Sequence, residues 1–155
     1  MKRYCIYAAA LLLILTPVTS SAFTGEGEVT RLSSNAFLYT ETITLNVTAD
    51  TLTVPIAAVP SWQPRSGDDS VKYTTLINNR PVAGLTTSAM VLSSTPIVGN
   101  RYALESGQPG EFTLAILLSL PGDVRVTEGT EVAFTVTAFP VAMHLESETI
   151  TLSSE

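Results

Sequence analysis

The stretch Thr42-Ile43-Thr44-Leu45-Asn46-Val47-Thr48-Ala49 alternates apolar and polar residues and is rich in Thr, Val and Ile. Successive side chains of a strand point to opposite faces, so the stretch predicts a β-strand with one apolar face. The residues on that face are Ile43, Leu45, Val47 and Ala49. After Asp50 the alternation resumes one residue out of step, with Leu52, Val54 and Ile56 as the apolar positions. This shift indicates a turn, a bulge or a strand that changes sheets.

The first 22 residues have the composition of a secretory signal peptide. Lys2 and Arg3 precede an apolar run from Tyr7 to Leu15, and the small residues of Ser20-Ser21-Ala22 fit a cleavage site after Ala22. The run is shorter than the roughly 20 residues that a membrane-spanning helix needs. We therefore expect a cleaved leader at 1–22 and an exported chain.

The composition of the exported chain disfavours several kinds of partner. Cleavage removes two of the eight basic residues and none of the 14 acidic ones, so the net charge falls from −6 to −8. Nucleic acid and anionic membranes are poor partners for such a surface. The only cysteine, Cys5, leaves with the leader, so neither a disulfide nor a thiolate metal site can form. No further apolar run is long enough to predict a membrane span after cleavage.

Short alternating segments separated by turn signals continue along the chain. The predicted strands are 41–49, 51–59, 71–77, a weaker one near 89–92, 101–104, 111–120, 124–126, 131–139 and 148–152. No segment combines a helical period with caps. This pattern predicts an all-β, immunoglobulin-like sandwich of seven to nine strands at 41–155. It is preceded by a loosely held N-terminal arm at 23–40, in which 36–39 could form a short strand. The most apolar segment, 111–120, is predicted to lie in the middle of a sheet.

No arrangement of residues predicts catalysis, a cofactor or a metal. His144 is the only histidine, and no nucleophile-elbow glycines lie near it. The acidic residues are scattered singly through turns and strand ends, which does not indicate a glycosidase pair. Asp68-Asp69 could contribute to a calcium site, but two adjacent acids are too few to predict one. We therefore expect a protein that is not an enzyme.

Trp62 is the only tryptophan and lies in a predicted loop at 60–70. A loop tryptophan of an exported β-domain can stack on a sugar ring. It can also close one end of the core, which is the commoner fate because the ring buries a large area. Trp62 is therefore expected in the core and kept as a candidate ligand residue. The corresponding alternative function is an immunoglobulin-like binding module that recognises a glycan or a surface protein.

The early strand is also suited to pairing with another molecule. An exposed strand edge binds a second chain through backbone hydrogen bonds, and alternate side chains fix the register. Segment 41–49 contains no proline and has a small or medium apolar residue at every second position. With its leader, this strand, the following Leu52-Thr53-Val54-Pro55-Ile56 and a Thr/Val-rich β-domain, the chain resembles the pilins of chaperone–usher fimbriae. The likeness is greatest to the disulfide-free colonisation-factor type.

The resemblance implies a structural subunit of a bacterial surface fibre, exported through the periplasm and assembled by β-strand complementation, with an adhesive role also open. A periplasmic chaperone, an outer-membrane usher, copies of the chain or related subunits, and a host glycan or protein are the implied partners. The implied donor residues are Ile43, Leu45, Val47 and Ala49. The final segment Glu148–Leu152 repeats Glu41–Leu45, so both can instead be ordinary edge strands of a complete sandwich.

Overall fold

The protein is described by a computed structural model that covers residues 22–47, 50–63, 70–124 and 126–144. These residues form eleven strands and no helix. The strands are β1 (Glu28–Arg31), β2 (Ala36–Asn46), β3 (Thr51–Pro55), β4 (Ala58–Pro60), β5 (Val71–Ile77), β6 (Thr86–Leu92), β7 (Ile97–Val98), β8 (Arg101–Leu104), β9 (Pro109–Ser119), β10 (Val132–Ala138) and β11 (Ala142–His144). The predicted all-β class is confirmed.

The strands are arranged in three sheets that share one core. The first sheet has the order β1-β2-β9-β6, the second β10-β5-β4 and the third β11-β3-β8-β7. Neighbouring strands are antiparallel, except that β4 and β5 are parallel. Side chains from all three sheets enter a single apolar cluster, so the fold is a β-sandwich.

The predicted central strand is confirmed. β9 lies between β2 and β6, and one of its faces is fully buried. The side chains of that face are Phe112, Leu114, Ile116 and Leu118, each 0% exposed. The other face carries Ala115 and the exposed Leu117, as expected for a strand whose outer side reaches solvent.

The parity shift at Asp50 marks a change of sheet. β2 ends at Asn46 in the first sheet, and β3 begins at Thr51 in the third. Asp50 has a φ of 68°, in the left-handed region that Asp tolerates better than most residues. The chain therefore turns between the two sheets, and the face that points into the core moves by one residue.

The described residues form eleven strands rather than the expected seven to nine, because several strands are shorter than the predicted segments. The single strand expected at 51–59 divides into β3, which ends at Pro55, and β4, which ends at Pro60, because proline cannot donate a ladder hydrogen bond. β1, β7 and β11 have only two to four residues, too few for alternation to be recognised.

Two other predicted segments differ from the structure, and a third lies outside the described residues. The expected arm at 23–40 is part of the sandwich, because it contains β1, the first half of β2 and the buried Phe23. Its boundary was wrong because the alternation of β2 begins before residue 41. Val124 and Val126 belong to no strand. The segment predicted at 148–152 lies outside the described residues.

Candidate functional site

The proposed assembly segment lies inside the chain's own first sheet. β2 pairs with β9 in one unbroken register from Ala36 opposite Ser119 to Asn46 opposite Pro109. Its other edge is covered by β1. Of the residues expected to be donated, Ile43 is 6% exposed, Leu45 0% and Val47 2%, all within this chain's core. Ala49 lies outside the described residues.

β1 and β2 form a unit that we call the N-terminal hairpin, residues 28–46. Among the described strands β1 pairs with β2 alone, and all four of its residues are exposed. The hairpin therefore contacts the rest of the sandwich mainly through β2. It is joined to β3 by residues 47–50, and this connection passes from the first sheet to the third.

A buried carboxylate ties the first residues to the hairpin. Glu41 is 9% exposed and lies on the inward face of β2. Its Oε1 accepts hydrogen bonds from the Thr24 N–H at 2.6 Å and the Thr24 hydroxyl at 3.0 Å. Its Oε2 accepts from the Gly25 N–H at 2.8 Å and the Tyr39 hydroxyl at 2.6 Å. The carboxylate thus receives four donors, which compensate for its removal from water.

The Tyr39 phenol is held in its neutral form by the same arrangement. Burial raises its pKa well above the ordinary value, and the bond that it donates to the Glu41 carboxylate raises it further. The Gly27 N–H donates to the phenol oxygen at 3.0 Å, which acts in the opposite direction. The segment 24–27 is therefore fixed to β2 by side chains of β2 itself.

Trp62 does not lie in the core, so the favoured sequence interpretation was wrong. The residue is 51% exposed. It lies at the rim of a cleft of about 400 Å³, whose other walls are Thr75 and the loop 81–85. The loop contributes Pro81, Val82 and Leu85, so the walls are mainly apolar. The tryptophan stays at the surface because β4 ends two residues earlier and the chain leaves the sheet there.

Thr75 gives this cleft an unsatisfied polar group. Its side chain is on the inward face of β5 and is 1% exposed, yet its hydroxyl has no hydrogen-bond partner among the described residues. Burying such a group without a partner costs about 1–3 kcal/mol. In the alternating segment 71–77, Thr75 falls on the same face as Val71, Tyr73 and Ile77. The sequence signal for such a residue is a polar side chain on the inward face of a strand. The hydroxyl of Thr75 in β5 and the carboxylate of Glu41 in β2 are both of this kind.

β4 covers this edge of β5 only as far as Tyr73. The Val71 N–H bonds to the Ala57 oxygen, and the Tyr73 oxygen accepts from the Ser61 N–H, so the polar groups of these residues face β4. The main-chain groups of every second residue of a strand point to the same edge, so the N–H and C=O of Thr75 also face the side of β4. Since β4 ends at Pro60, opposite Tyr73, no described strand lies beside Thr75 on that edge.

His144 and the pair Asp68-Asp69 were the other candidates considered from the sequence. The backbone of His144 pairs with Thr51 in the third sheet. Asp68 and Asp69 lie outside the described residues. Within the described ranges, no three His, Cys, Asp or Glu side chains are grouped so that they could hold a metal ion. The described part of the chain also contains no helix with the length and hydropathy needed to cross a membrane.

Comparisons with known proteins place the chain in no family. No protein-family model matches it, no curated protein matches it, and no solved structure resembles it closely enough to be counted as a match.

Proposed function

We propose that the protein is an exported structural subunit of a bacterial surface fibre, in which the N-terminal hairpin of one subunit completes the immunoglobulin-like sandwich of the next. The observation that carries the proposal is the position of β2. It is an interior strand of the first sheet, yet it belongs to an N-terminal hairpin that is joined to the remaining strands by four residues. Such an element can be supplied by its own chain or by a neighbour.

The buried side chains of β2 make this strand necessary for the sandwich. Its apolar inward residues are Phe37, Tyr39, Ile43 and Leu45, and Val47 follows directly after the strand. Full burial of such a side chain contributes about 1.5–3 kcal/mol, so the five together contribute roughly 7–15 kcal/mol. Total domain stability is about 5–15 kcal/mol. A sandwich without the hairpin would therefore need a strand from another chain.

Exchange of the hairpin preserves the contacts that it makes within one chain. An exchanged β2 keeps the same register against β9, and the bonds from Thr24 and Gly25 to Glu41 move with it. The geometry of the connection at 47–50 then decides between two products. A reciprocal exchange closes into a dimer, and a head-to-tail exchange leaves a free groove and a free hairpin and produces a fibre.

The proposed partners follow from this mode of assembly. Copies of the chain or related subunits would donate and accept the hairpin. A periplasmic chaperone would occupy the groove before assembly, and an outer-membrane usher would guide export to the cell surface. β-strand addition supplies the chemistry for the first two contacts, because main-chain hydrogen bonds provide affinity and inward side chains provide register.

A disulfide across β2 and β9 tests the proposal in a single sample. Thr42 and Thr113 are directly opposite each other on the outer face of the first sheet, with their hydroxyl oxygens 2.9 Å apart. The chain from residue 23 onward contains no cysteine, so the double variant Thr42→Cys/Thr113→Cys introduces the only thiols. The variant is exported from a bacterial host together with its assembly partners, oxidised and run on a non-reducing gel.

Each mode of assembly gives a different product. Head-to-tail exchange gives a covalent ladder, reciprocal exchange gives covalent dimers, and an unexchanged hairpin gives covalent monomers. The control Thr42→Cys/Ser88→Cys places the second thiol on β6, which β9 separates from β2, and should give no ladder. Covalent monomers alone from the first variant would refute the proposal.

A further inference from the structure

We infer that Glu41 is the binding site for the protein's own processed N terminus. Cleavage of the expected leader after Ala22 leaves an α-ammonium group on Phe23. This group pairs with the Glu41 carboxylate when residues 23–27 dock against the sandwich. The inference rests on the export that the proposed function includes, but it does not depend on exchange of the N-terminal hairpin. Three features of residues 23–27 and their surroundings support it.

The first feature is the buried charge of Glu41. The carboxylate lies on the inward face of β2, and its four donors are two backbone N–H groups and two hydroxyls. None of these four donors is a cation. A buried carboxylate is least costly when hydrogen bonds and an opposite charge together compensate for its removal from water. The hydrogen bonds to Glu41 are in place, and a cation beside them would stabilise the site further.

The second feature is the short distance from Glu41 to the Phe23 nitrogen. The Thr24 nitrogen lies 2.6 Å from Oε1 of Glu41. Only three covalent bonds connect the nitrogens of Phe23 and Thr24, so these two atoms are less than about 4 Å apart. The Phe23 nitrogen therefore lies within about 7 Å of the carboxylate. Opposite unit charges at this separation attract each other measurably at a partly buried site.

The third feature is the close fit of residues 23–27 against two sheets. Phe23 is 3% exposed and belongs to the apolar core. A Cβ at Gly25 would lie 2.6 Å from a backbone oxygen of β10, and a Cβ at Gly27 would overlap a backbone oxygen of β2. Glycine, which has no Cβ, fits such close approaches. These contacts hold the chain end in one position beside Glu41.

Burial of Phe23 also sets the order of cleavage and docking. The bond to be cleaved joins Ala22 to Phe23, and a peptidase needs an exposed, extended chain on both sides of this bond. The docked Phe23 ring is buried and packs edge to face on Phe139, with ring centroids 4.6 Å apart. Cleavage therefore comes first, and docking of the free end follows. The processed chain holds residues 23–27 more tightly than the precursor, because only the processed chain has a charge at Phe23.

Two chains that carry the same terminal charge in different places test the inference. The first chain begins at Phe23 and the second at Ser21, so the amine of the second lies two residues farther out. We expect the equilibrium constant for folding, measured by urea unfolding, to be about fivefold larger for the first chain. The difference should disappear in Glu41→Gln. It should persist in the matched control Glu26→Gln, which removes an exposed carboxylate of the same segment.

Acetylation of the amine gives a second measurement that does not require the Glu41 variant to fold. N-hydroxysuccinimidyl acetate should label the amine of Phe23 several times more slowly than that of Ser21, because pairing with a carboxylate keeps an amine protonated. Lys72 is the only other amine in both chains and serves as the internal standard. Equal folding constants of the two parent chains would overturn the inference, as would equal labelling rates.

Two further outcomes would also overturn it. The first is a stability difference that remains in Glu41→Gln, because the terminal charge would then act elsewhere. The second is a first residue other than Phe23 in the exported protein, which N-terminal sequencing determines. Neither outcome affects the disulfide test of hairpin exchange, so the two proposals fail separately.

Discussion

Replacement of Glu41 by glutamine tests how the N-terminal segment is held to the sandwich. The substitution keeps the shape of the side chain but turns one of its two acceptor oxygens into an NH₂ donor. Two donors point at each oxygen, namely the Thr24 N–H and hydroxyl at Oε1, and the Gly25 N–H and Tyr39 hydroxyl at Oε2. The hydroxyls can rotate to accept a bond, but the backbone N–H groups cannot.

The magnitude follows from this count of donors. In either amide orientation one backbone N–H, that of Thr24 or of Gly25, loses its acceptor, at a cost of about 1–3 kcal/mol for a buried group. The remaining bonds lose the strength that a charged acceptor gives them. The smaller desolvation of a neutral side chain partly offsets these losses. We expect Glu41→Gln to lower the free energy of unfolding by about 2–4 kcal/mol.

Urea unfolding of the chain from residue 23 onward measures this change. The slope against urea should stay constant, because the variant exposes the same surface on unfolding. Faster hydrogen exchange of the Thr24 and Gly25 amides should accompany the loss of stability. Glu111→Gln is the matched control, since Glu111 is an exposed residue of β9, and should change stability by less than about 0.5 kcal/mol. A Glu41→Gln variant as stable as this control would refute the reasoning.

Three further predictions concern other groups. Burial raises the folded-state pKa of Tyr39 and Tyr73 above about 10, so their contribution to stability is complete below pH 10 and is lost as the pH rises further. Above pH 10, urea unfolding should show the free energy of unfolding falling by up to about 2.7 kcal/mol per pH unit, and tyrosinate absorbance from these residues should appear together with unfolding. A flat alkaline stability profile would contradict the prediction. Thr75→Val removes an unsatisfied buried hydroxyl and should stabilise the empty protein by about 1 kcal/mol in the same assay, while a destabilised variant would show that the hydroxyl has a partner. Gly25→Ala should destabilise the folded protein by at least about 1 kcal/mol more than Gly107→Ala. Both glycines have positive φ, but only at Gly25 would the new Cβ lie 2.6 Å from the Phe134 oxygen. Equal melting temperatures of the two variants would contradict this prediction.

Much of the fold was predictable from hydrophobic periodicity. The segments 71–77 and 101–104 are strands with the predicted bounds, and the core face of β9 is as expected. Each of these strands alternates in one register, and burial of one face is enough to specify that register. The expected boundary at residue 41 was wrong because β2 begins at Ala36 and carries Glu41 on its inward face, where a charge interrupts the apolar pattern.

The candidate sites were less accessible to sequence reasoning. Trp62 was identified as a candidate ligand residue, but its exposure depends on where β4 ends relative to β5, which is a pairing between distant segments. Thr75 and the loop 81–85 meet Trp62 only in the folded chain. No local pattern reports that a hydroxyl will lack a partner, because that depends on every group that packs around it.

The sequence alone determined the all-β class, most of the longer strand-forming segments and an interruption of the strand pattern at Asp50. These properties follow from side-chain alternation and from turn chemistry, which act over a few neighbouring residues. Only the tertiary structure decided that β2 lies between β1 and β9, that Glu41 accepts hydrogen bonds from Thr24, Gly25 and Tyr39, and that Trp62 lines a cleft with Thr75 and the loop 81–85. Alternation shows which face of a strand is buried, but the partners of its two edges are set by contacts between segments far apart in the chain.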